Sequence, residues 1–298
     1  MTAAPARRIV CIGDVMVDIL ARLSGELALG SDLPAPIDVL GGGSAANTAS
    51  WIASTGTPVT LAGRIGDDAF GAQAIRQLCD CGVEPALVRD PSRPTGRCIV
   101  PVSAEGERTM VPDPGANAAL MPADLGAELF RPGRHLHLSG YSLFGTSRAA
   151  GLHALAQARA AGMTISVDAA SAAPIAAAGA QNFLSWLGHD VMLLANADEA
   201  RVLTDLGDPS RCAAELARRL GRAVVKTGPL GAVWSGGDSV VHVPTTQIAA
   251  LDSTSAGDAF TAGLLAALGR GCGAADAIRA GHDLAARACS VVGGRPAR

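Results

Sequence analysis

Short apolar runs alternate along this chain with longer Ala-rich stretches in which apolar residues recur at helical spacing. The short runs predict buried strands at 8–13, 59–62, 134–140, 163–168 and 191–196. The Ala-rich stretches predict helices, the clearest at 147–162, 174–188 and 274–290. Strands separated by helices need crossover connections. The pattern therefore predicts an α/β fold of three layers, with a mainly parallel central sheet and helices on both faces.

Two segments, 19–40 and 95–113, interrupt this pattern. The first is rich in turn formers, and the second predicts two strands joined by a turn that contains Gly106. Neither segment has a neighbouring helix in sequence to cover it, so together they predict a small separate β-sheet that could act as a lid over a pocket. No linker or repeat divides the chain, and 1–298 is predicted to form a single domain that carries this lid.

The stretch 251–268 places small residues and one acid at a predicted helix start. The first N–H groups of a helix lack partners and attract anions, and Ser255, Ala256 and Gly257 have little side chain to screen them. Asp258 follows directly, where negative charge would collect. From this stretch alone, Asp258 is either a helix-start residue or a general base beside a phosphate.

Composition excludes several classes of protein. With 298 residues, 49% of them hydrophobic and 17% charged, the chain can bury a core and is not expected to be disordered. The net charge of -3 and the lack of a basic run argue against a nucleic-acid or anionic-membrane partner. No apolar run reaches the roughly 18 to 20 residues of a membrane span. An N-terminus without a secretory pattern and seven scattered cysteines favour a cytoplasmic protein with free thiols.

One glycine loop gives an alternative function. Gly41-x-Gly43-x-x-Ala46 matches the dinucleotide fingerprint, and Asp67 lies roughly twenty residues further on, as a ribose-binding acid would. This would indicate an NAD(P)-dependent oxidoreductase. The run before the loop contains two prolines, and Asp67 lies in a polar loop at 63–71 instead of at a strand end. A structural glycine turn is therefore the favoured interpretation.

Ordered motifs extend through most of the chain: Gly13-Asp14 with Asp18, Gly42-Gly43 with Asn47, the loop 63–71, Asn196-x-x-Glu199, Lys226-Thr227-Gly228 with Gly231-Ala232, and Asp252 to Asp258. In this order they resemble the ribokinase-like (PfkB) family of carbohydrate kinases, over residues 13–295. The last motif resembles the family's Asp-Thr-x-x-Ala-Gly-Asp signature. Ser253 replaces its threonine, and Ser255 stands where many members have glycine.

The resemblance implies an ATP-dependent kinase that phosphorylates a hydroxyl of a small carbohydrate. Asp258 would be the catalytic base, and the backbone N–H groups of Ser255, Ala256 and Gly257 would form the anion hole for the phosphoryl group in transfer. This agrees with the residue-level interpretation, since phosphoryl transfer requires mainly positioning and charge stabilisation.

For the nucleotide, the resemblance implies ATP contacts from Asn196, Thr227, Gly228, Gly231 and His282. Glu199 would help to order Mg²⁺ through water, although a plain surface residue in a helix's first turn is the alternative. His282 contacts adenine in this interpretation, whereas a lone histidine among apolar positions more often serves packing. Asp252 resembles the monovalent-cation site of some members, which would bind K⁺.

For the acceptor, the resemblance implies hydroxyl binding by Asp18, Gly42, Gly43 and Asn47, and Tyr141 either lines the pocket or packs in the core. The pattern departs from ribokinase itself, which has a lysine where this chain has Ser44. The acceptor stays open between ribose-, fructose- and ketodeoxygluconate-like sugars, with an adenosine- or pseudouridine-like nucleoside as the alternative. A non-catalytic sugar-binding protein is disfavoured by the intact Asp258. A homodimer through the lid is also expected from some relatives.

Overall fold

The computed structural model describes residues 7–26, 30–103, 107–237, 239–248 and 250–296. The strands within these ranges are β1 (Ile9–Ile12), β2 (Met16–Arg22), β3 (Ile37–Gly42), β4 (Val59–Gly66), β5 (Glu84–Asp90), β6 (Gly96–Val102), β7 (Val111–Asp113), β8 (His135–Ser139), β9 (Thr164–Asp168), β10 (Val191–Asn196), β11 (Gly221–Lys226), β12 (Ala232–Gly236) and β13 (Ser239–Val243). They form two separate sheets.

The α-helices are α1 (Ser44–Ser54), α2 (Ala69–Asp80), α3 (Arg148–Ala160), α4 (Ala172–Ala178), α5 (Ala180–Leu187), α6 (Ala197–Thr204), α7 (Pro209–Leu220), α8 (Ala256–Gly269) and α9 (Ala274–Ala288). Most of them connect one strand of the larger sheet to the next. None of the described helices is both long enough and apolar enough to cross a membrane.

The larger sheet has nine strands in the order β13-β12-β11-β10-β9-β8-β1-β4-β5. All pairs from β11 to β5 are parallel, and β12 and β13 add an antiparallel edge. Alternate residues of β1 illustrate how the sheet is buried on both faces. Ile9 and Cys11 join a core with α1, α2, α8 and α9, whereas Val10 and Ile12 join a core with α3 to α7. The predicted three-layer α/β fold is confirmed.

The sequence placed a loop at 63–71, but β4 continues through its first part to Gly66. A Cβ at Gly63 would lie 2.5 Å from the carbonyl oxygen of Gly13. The glycine therefore lets β4 pass close to the end of β1 and remain paired there. Glycine in this strand reflects close backbone packing instead of a turn.

The smaller sheet has the order β3-β2-β6-β7, with β2 and β6 parallel and the outer pairs antiparallel. Its inner face buries Leu20, Cys98 and Val100. Its outer face exposes a row of apolar side chains: Ile37, Val39, Ile99 and Val111. The predicted turn at Gly106 lies outside the described residues.

Candidate active site

A cavity of about 420 Å³ opens where β9, β10 and β11 end and α8 begins. The predicted site residues that line it are Tyr141, Asn196, Glu199, Gly228, Ser255, Gly257 and Asp258. Four further residues complete the lining: Ser44, Asp168, Ala170 and Lys226. Ligands of doubly wound α/β sheets bind at the carboxyl ends of the strands, so the cavity lies where the fold predicts a site.

Asp258, in the first turn of α8, is one of the three acids that line this cavity. Its Oδ1 accepts a hydrogen bond from Ser44 Oγ at 2.8 Å, and its Oδ2 accepts one from Asn47 Nδ2 at 3.3 Å. Burial raises the pKa of Asp258 to about 7, and the charge of Asp168 adds to this, whereas the Ser44 hydrogen bond and Lys226 oppose it. A carboxylate with a near-neutral pKa is suited to accept a proton at physiological pH.

The start of α8 leaves backbone N–H groups facing the cavity. Ser255, the residue before the helix, has φ 58° and ψ 10°, and its side chain does not cap the helix. Instead its Oγ accepts a hydrogen bond from Trp51 Nε1 at 3.3 Å. The N–H of Ala256 donates to Ser253 O at 3.2 Å, while the N–H of Gly257 has no backbone acceptor within the described residues. The N–H of Ser255 likewise has no acceptor there, so of the predicted anion-hole amides those of Ser255 and Gly257 are available to a ligand.

Asp14, at the end of β1, holds Ser44 in position beside Asp258. Its Oδ2 accepts from the N–H of Ser44 at 2.7 Å, and its Oδ1 accepts from Ser139 Oγ at 2.9 Å. The predicted site residue Gly43 has φ 94°, and a Cβ there would lie 2.6 Å from the Asp14 carbonyl oxygen. Glycine at 43 thus allows the tight turn that brings α1 to the cavity.

Of the predicted acceptor residues, Asn47 contacts Asp258, whereas Asp18, Gly42, Gly43 and Asn47 are not part of the cavity lining. Asp18 is 8% exposed, and a Cβ at Gly42 would lie 2.3 Å from its carboxylate oxygens. Burial raises the pKa of Asp18 to about 6, against the lowering effect of Arg295. Asn47 is 5% exposed, and its Oδ1 has no hydrogen-bond partner among the described residues. A buried unpaired amide oxygen is costly, so this geometry favours a ligand that donates a hydroxyl.

Asn196 and Glu199 form a reciprocal cap at the start of α6. Asn196 Oδ1 accepts from the N–H of Glu199 at 2.9 Å, and Glu199 Oε2 accepts from the N–H of Asn196 at 2.8 Å. Glu199 is 3% exposed, so it is not the plain surface residue that the sequence left open. Burial and the charge of Asp168 raise its pKa. Both carboxylate oxygens are engaged by Asn196, an arrangement that fits a metal held through water.

The segment after β11 forms a compact loop beside the cavity. The N–H and the Oγ1 of Thr227 both donate to Gly231 O, at 2.9 and 2.8 Å. Gly228 has φ 59° and lines the cavity. His282 lies apart from this lining and packs on Phe260 with ring centroids 5.4 Å apart. Contacts of these residues with a nucleotide stay predictions.

Asp252, the predicted K⁺-site residue, is paired with an arginine. Asp252 is 3% exposed, and its Oδ1 lies 2.6 Å from the guanidinium of Arg108. Arg108 pairs with Val102, the last residue of β6 in the smaller sheet. Its oxygens also accept from the N–H groups of Thr254 and Gly293, at 2.7 and 2.9 Å. Arginine thus supplies the positive charge that a monovalent cation would bring, so a K⁺ requirement is not supported.

Comparisons with known proteins agree with this geometry. A family model described as "pfkB family carbohydrate kinase" matches residues 6–297. The chain belongs to the pfkB family. Fructokinase from Escherichia coli is 31% identical over 278 residues, 86% of this chain and 83% of that enzyme. Deoxyribokinase from Salmonella typhi is 28% identical over 262 residues, 85% of this chain and 82% of the relative.

The pfkB fold is equally clear from solved structures. Adenosine kinase from Sinorhizobium meliloti superposes with a TM-score of 0.87 at 25% identity, covering 99% of this chain and 97% of that one. The predicted class, a phosphotransferase acting on a sugar or nucleoside, is confirmed. The oxidoreductase alternative is wrong, because the chain belongs to a kinase family and Gly41 lies within β3, an antiparallel strand of the smaller sheet. Asp67, its proposed ribose acid, is a surface residue paired with Arg89.

Sequence reasoning missed several contacts in this pfkB site. Ser44 was noted only as a departure from ribokinase, yet it donates to Asp258. Lys226 belonged to a recognised motif without a role of its own. Arg295 gave no sequence signal, although its guanidinium donates to Gly42 O at 3.0 Å. Only the fold brings residues so distant in sequence into contact.

Proposed function

We propose that this pfkB-family protein is an ATP-dependent kinase that transfers the γ-phosphoryl group to a hydroxyl of a small sugar, with fructose-like sugars as the first candidates. The observation that carries the proposal is the position of Asp258. Its carboxylate lies one residue after the available N–H of Gly257 and within hydrogen-bonding distance of Ser44 and Asn47. The names of the fructokinase and deoxyribokinase relatives support a sugar acceptor.

In the proposed reaction, Asp258 removes the proton of the acceptor hydroxyl while that oxygen attacks the γ-phosphorus and ADP leaves. The N–H groups at the start of α8, those of Ser255 and Gly257 with that of Ala256 between them, stabilise the charge of the phosphoryl group in transfer. A base with a pKa near 7 matches this role, because it is largely ionised above neutral pH and gains a proton easily.

We further propose that ATP lies along the ends of β10 and β11. The contacting residues are Asn196, Thr227, Gly228 and Gly231, with His282 toward the adenine. Mg²⁺, when bound, would neutralise the charge of the phosphates. Glu199 would orient it through water, since no cluster of three metal-binding side chains occurs in the described part of the chain.

The acceptor side supports a polyhydroxylated ligand. The unpaired Oδ1 of Asn47 and the carboxylate of Asp18 are both acceptors, and adjacent sugar hydroxyls can satisfy them. A nucleoside is the second candidate. Tyr141 is 45% exposed on the cavity wall, where its ring could contact a base, and an adenosine kinase shares the fold.

A panel of acceptors tests the function. Acceptor-dependent formation of ADP would be measured with ribose, fructose, 2-keto-3-deoxygluconate, fructose phosphates, adenosine and pseudouridine. The highest kcat/KM is expected for a neutral sugar. A preference for adenosine or pseudouridine would favour the nucleoside kinase instead. If no sugar or nucleoside stimulated ADP formation, the proposal would fail.

Removing the Ser44 hydroxyl is expected to move the pH dependence of turnover. Turnover should rise as pH increases through the pKa of Asp258, since the base must be ionised. The Ser44 hydrogen bond lowers that pKa, so in Ser44→Ala the rise should move to higher pH by roughly one unit, the equivalent of one hydrogen bond to a charged group. Ser185→Ala, at an exposed position of α5, is the control. If the pH dependence of turnover were unchanged in Ser44→Ala, Asp258 would not be the group whose ionisation controls turnover.

We also propose a homodimer formed through the outer face of the smaller sheet. Ile37, Val39, Ile99 and Val111 are 41–64% exposed there, and the strand register places Ile99 opposite Val111. Ile99→Asp should therefore sediment as a monomer. Val240→Asp, on the exposed edge strand β13, should sediment as the wild type does. A dimer that persists in Ile99→Asp would place the interface elsewhere.

A further inference from the structure

Lys226 is the only lysine of this chain, although the sequence contains 24 Lys and Arg residues together. Arginine therefore serves at every other basic position. Lysine differs from arginine by its compact, strongly hydrated ammonium, which acts on a phosphate as a point charge. The one place where the chain uses this group is the wall of the active cavity.

The surroundings of the ammonium leave it free to bind a ligand. The Lys226 side chain is 15% exposed, and Nζ donates to Asp168 Oδ2 at 2.8 Å. An ammonium has three N–H donors, and this is the one hydrogen bond that Nζ makes within the described residues. Asp168 is itself fixed, since its Oδ1 accepts from the N–H of Ala170 at 3.0 Å. Lys226 is thus held in place while most of its donors stay available.

The same ammonium lies beside the start of α8. Nζ is 3.4 Å from the position that a Cβ of Gly257 would occupy. Covalent geometry places such a Cβ about 2.5 Å from the amide nitrogen of its own residue, so Nζ lies within ~6 Å of the Gly257 nitrogen. One phosphoryl group can span this gap, with one oxygen accepting from each nitrogen at normal hydrogen-bond length.

The charges that line the cavity also favour a phosphate contact with Lys226. Three carboxylates line it, those of Asp168, Glu199 and Asp258, and Lys226 is the one basic side chain in that lining. A polyphosphate entering among three acids is repelled unless positive charge is close to it. A metal bound to the phosphates would supply part of that charge. Lys226 supplies a fixed charge next to the amide at which the phosphoryl group is transferred.

We propose that Lys226 is a catalytic residue that binds the transferred phosphoryl group between its ammonium and the N–H of Gly257, and that Asp168 is a positioning residue for this ammonium. Lys226 donates hydrogen bonds throughout the reaction and keeps its proton, because Asp258 takes the proton of the acceptor. The proposal rests on the proposed kinase function. The kinase function does not by itself require Lys226, since a kinase could stabilise the phosphoryl group with backbone amides and a metal ion alone.

Three variants separate contact with the phosphoryl group from a structural ion pair: Lys226→Met, Asp168→Asn and the double variant. Lys226→Met leaves Asp168 without its cation, so a loss of activity in it alone would be ambiguous. The double variant removes both charges, and its melting temperature is expected to match that of the wild type more closely. If Lys226 contacts the phosphoryl group, kcat of the double variant stays about 10²–10³-fold below the wild type, with little change in acceptor KM. A double variant with wild-type kcat would overturn the proposal.

The single lysine also gives a direct spectroscopic test on the wild-type enzyme. Protein labelled with ¹³C at lysine Cε has one lysine signal, which needs no assignment. Saturating β,γ-methylene-ATP is expected to shift this signal, and saturating ADP, which lacks the terminal phosphate, is expected to shift it much less. Calorimetry would establish that both nucleotides are bound. An equal response to the two nucleotides, or none, would overturn the contact with the terminal phosphate.

The same signal tests the role of Asp168. Asp168, Glu199 and Asp258 face the ammonium, and His137 faces Asp168. In Asp168→Asn the pKa of Lys226, followed through this signal, should fall, and the response to β,γ-methylene-ATP should shrink. An unchanged pKa and response would remove Asp168 from the positioning role. If the wild type phosphorylates none of the acceptors, the proposed function is wrong. If the wild type is active but β,γ-methylene-ATP does not shift the lysine signal, the inference about Lys226 is wrong.

Discussion

Asp258→Asn should lower turnover by about 10²–10⁴-fold, the usual contribution of a general base, while ADP binding and the melting temperature remain close to those of the wild type. Asparagine keeps the shape of the side chain and can still hydrogen-bond Ser44 and Asn47, but it cannot accept the proton. Burial already disfavours the charged form of Asp258, so replacing it with a neutral amide is not expected to destabilise the fold. Steady-state kinetics, calorimetry with ADP and thermal unfolding would measure the three quantities.

Asp276→Asn provides a matched control for this variant. Asp276 is also an acid in the first turn of a helix, α9, but its side chain is 69% exposed and paired with Arg279. Its replacement should leave kcat within about twofold, as expected for a surface substitution. Wild-type turnover in Asp258→Asn would remove this carboxylate from the mechanism.

Gly42→Ala should lower kcat/KM for the acceptor by about 10²-fold. A Cβ at this position would lie 2.3 Å from both carboxylate oxygens of Asp18, so Asp18 must move away from its proposed position beside the acceptor. A misplacement of about 1 Å in a binding group can cost this much. The backbone at Gly42 does not have the positive φ that would itself strain an alanine, so the effect should come from Asp18. Initial rates over a range of acceptor concentrations would measure it, with KM for ATP nearly unchanged.

Gly207→Ala controls for the loss of glycine. Position 207 also lacks a positive φ, and a Cβ there would have no neighbour within 4 Å. Its kinetics should be those of the wild type. If Gly42→Ala used the acceptor as well as Gly207→Ala does, Asp18 would not be an acceptor ligand.

The layered fold could be predicted because its signals are local. The β10 run contains alternating buried side chains that serve both cores, so its apolar pattern predicted the strand bounds that the structure has, 191–196. The start of α8 was predictable for the same reason, since the small residues before Asp258 are adjacent in sequence. Backbone patterns of this kind need no knowledge of distant partners.

The contacts of the site depend on long-range packing and were harder to predict. Ser44 and Asp258 are 214 residues apart, and Arg295 and Gly42 are 253 apart. Nothing in their local sequence specifies the partner. Lys226 shows an intermediate case: its uniqueness is visible in the sequence, but its pairing with Asp168 and its closeness to Gly257 appear only when β9, β11 and α8 are brought together.

The ion pair between Arg108 and Asp252 has a consequence for the timing of catalysis. If the smaller sheet moved outward as the proposed lid, the buried carboxylate of Asp252 would lose Arg108, its only basic neighbour among the described residues. A buried charge without a partner is strongly unfavourable. The open state should therefore be brief and sparsely populated. Release of the phosphorylated product, more than the chemical step, would then limit the rate of each cycle.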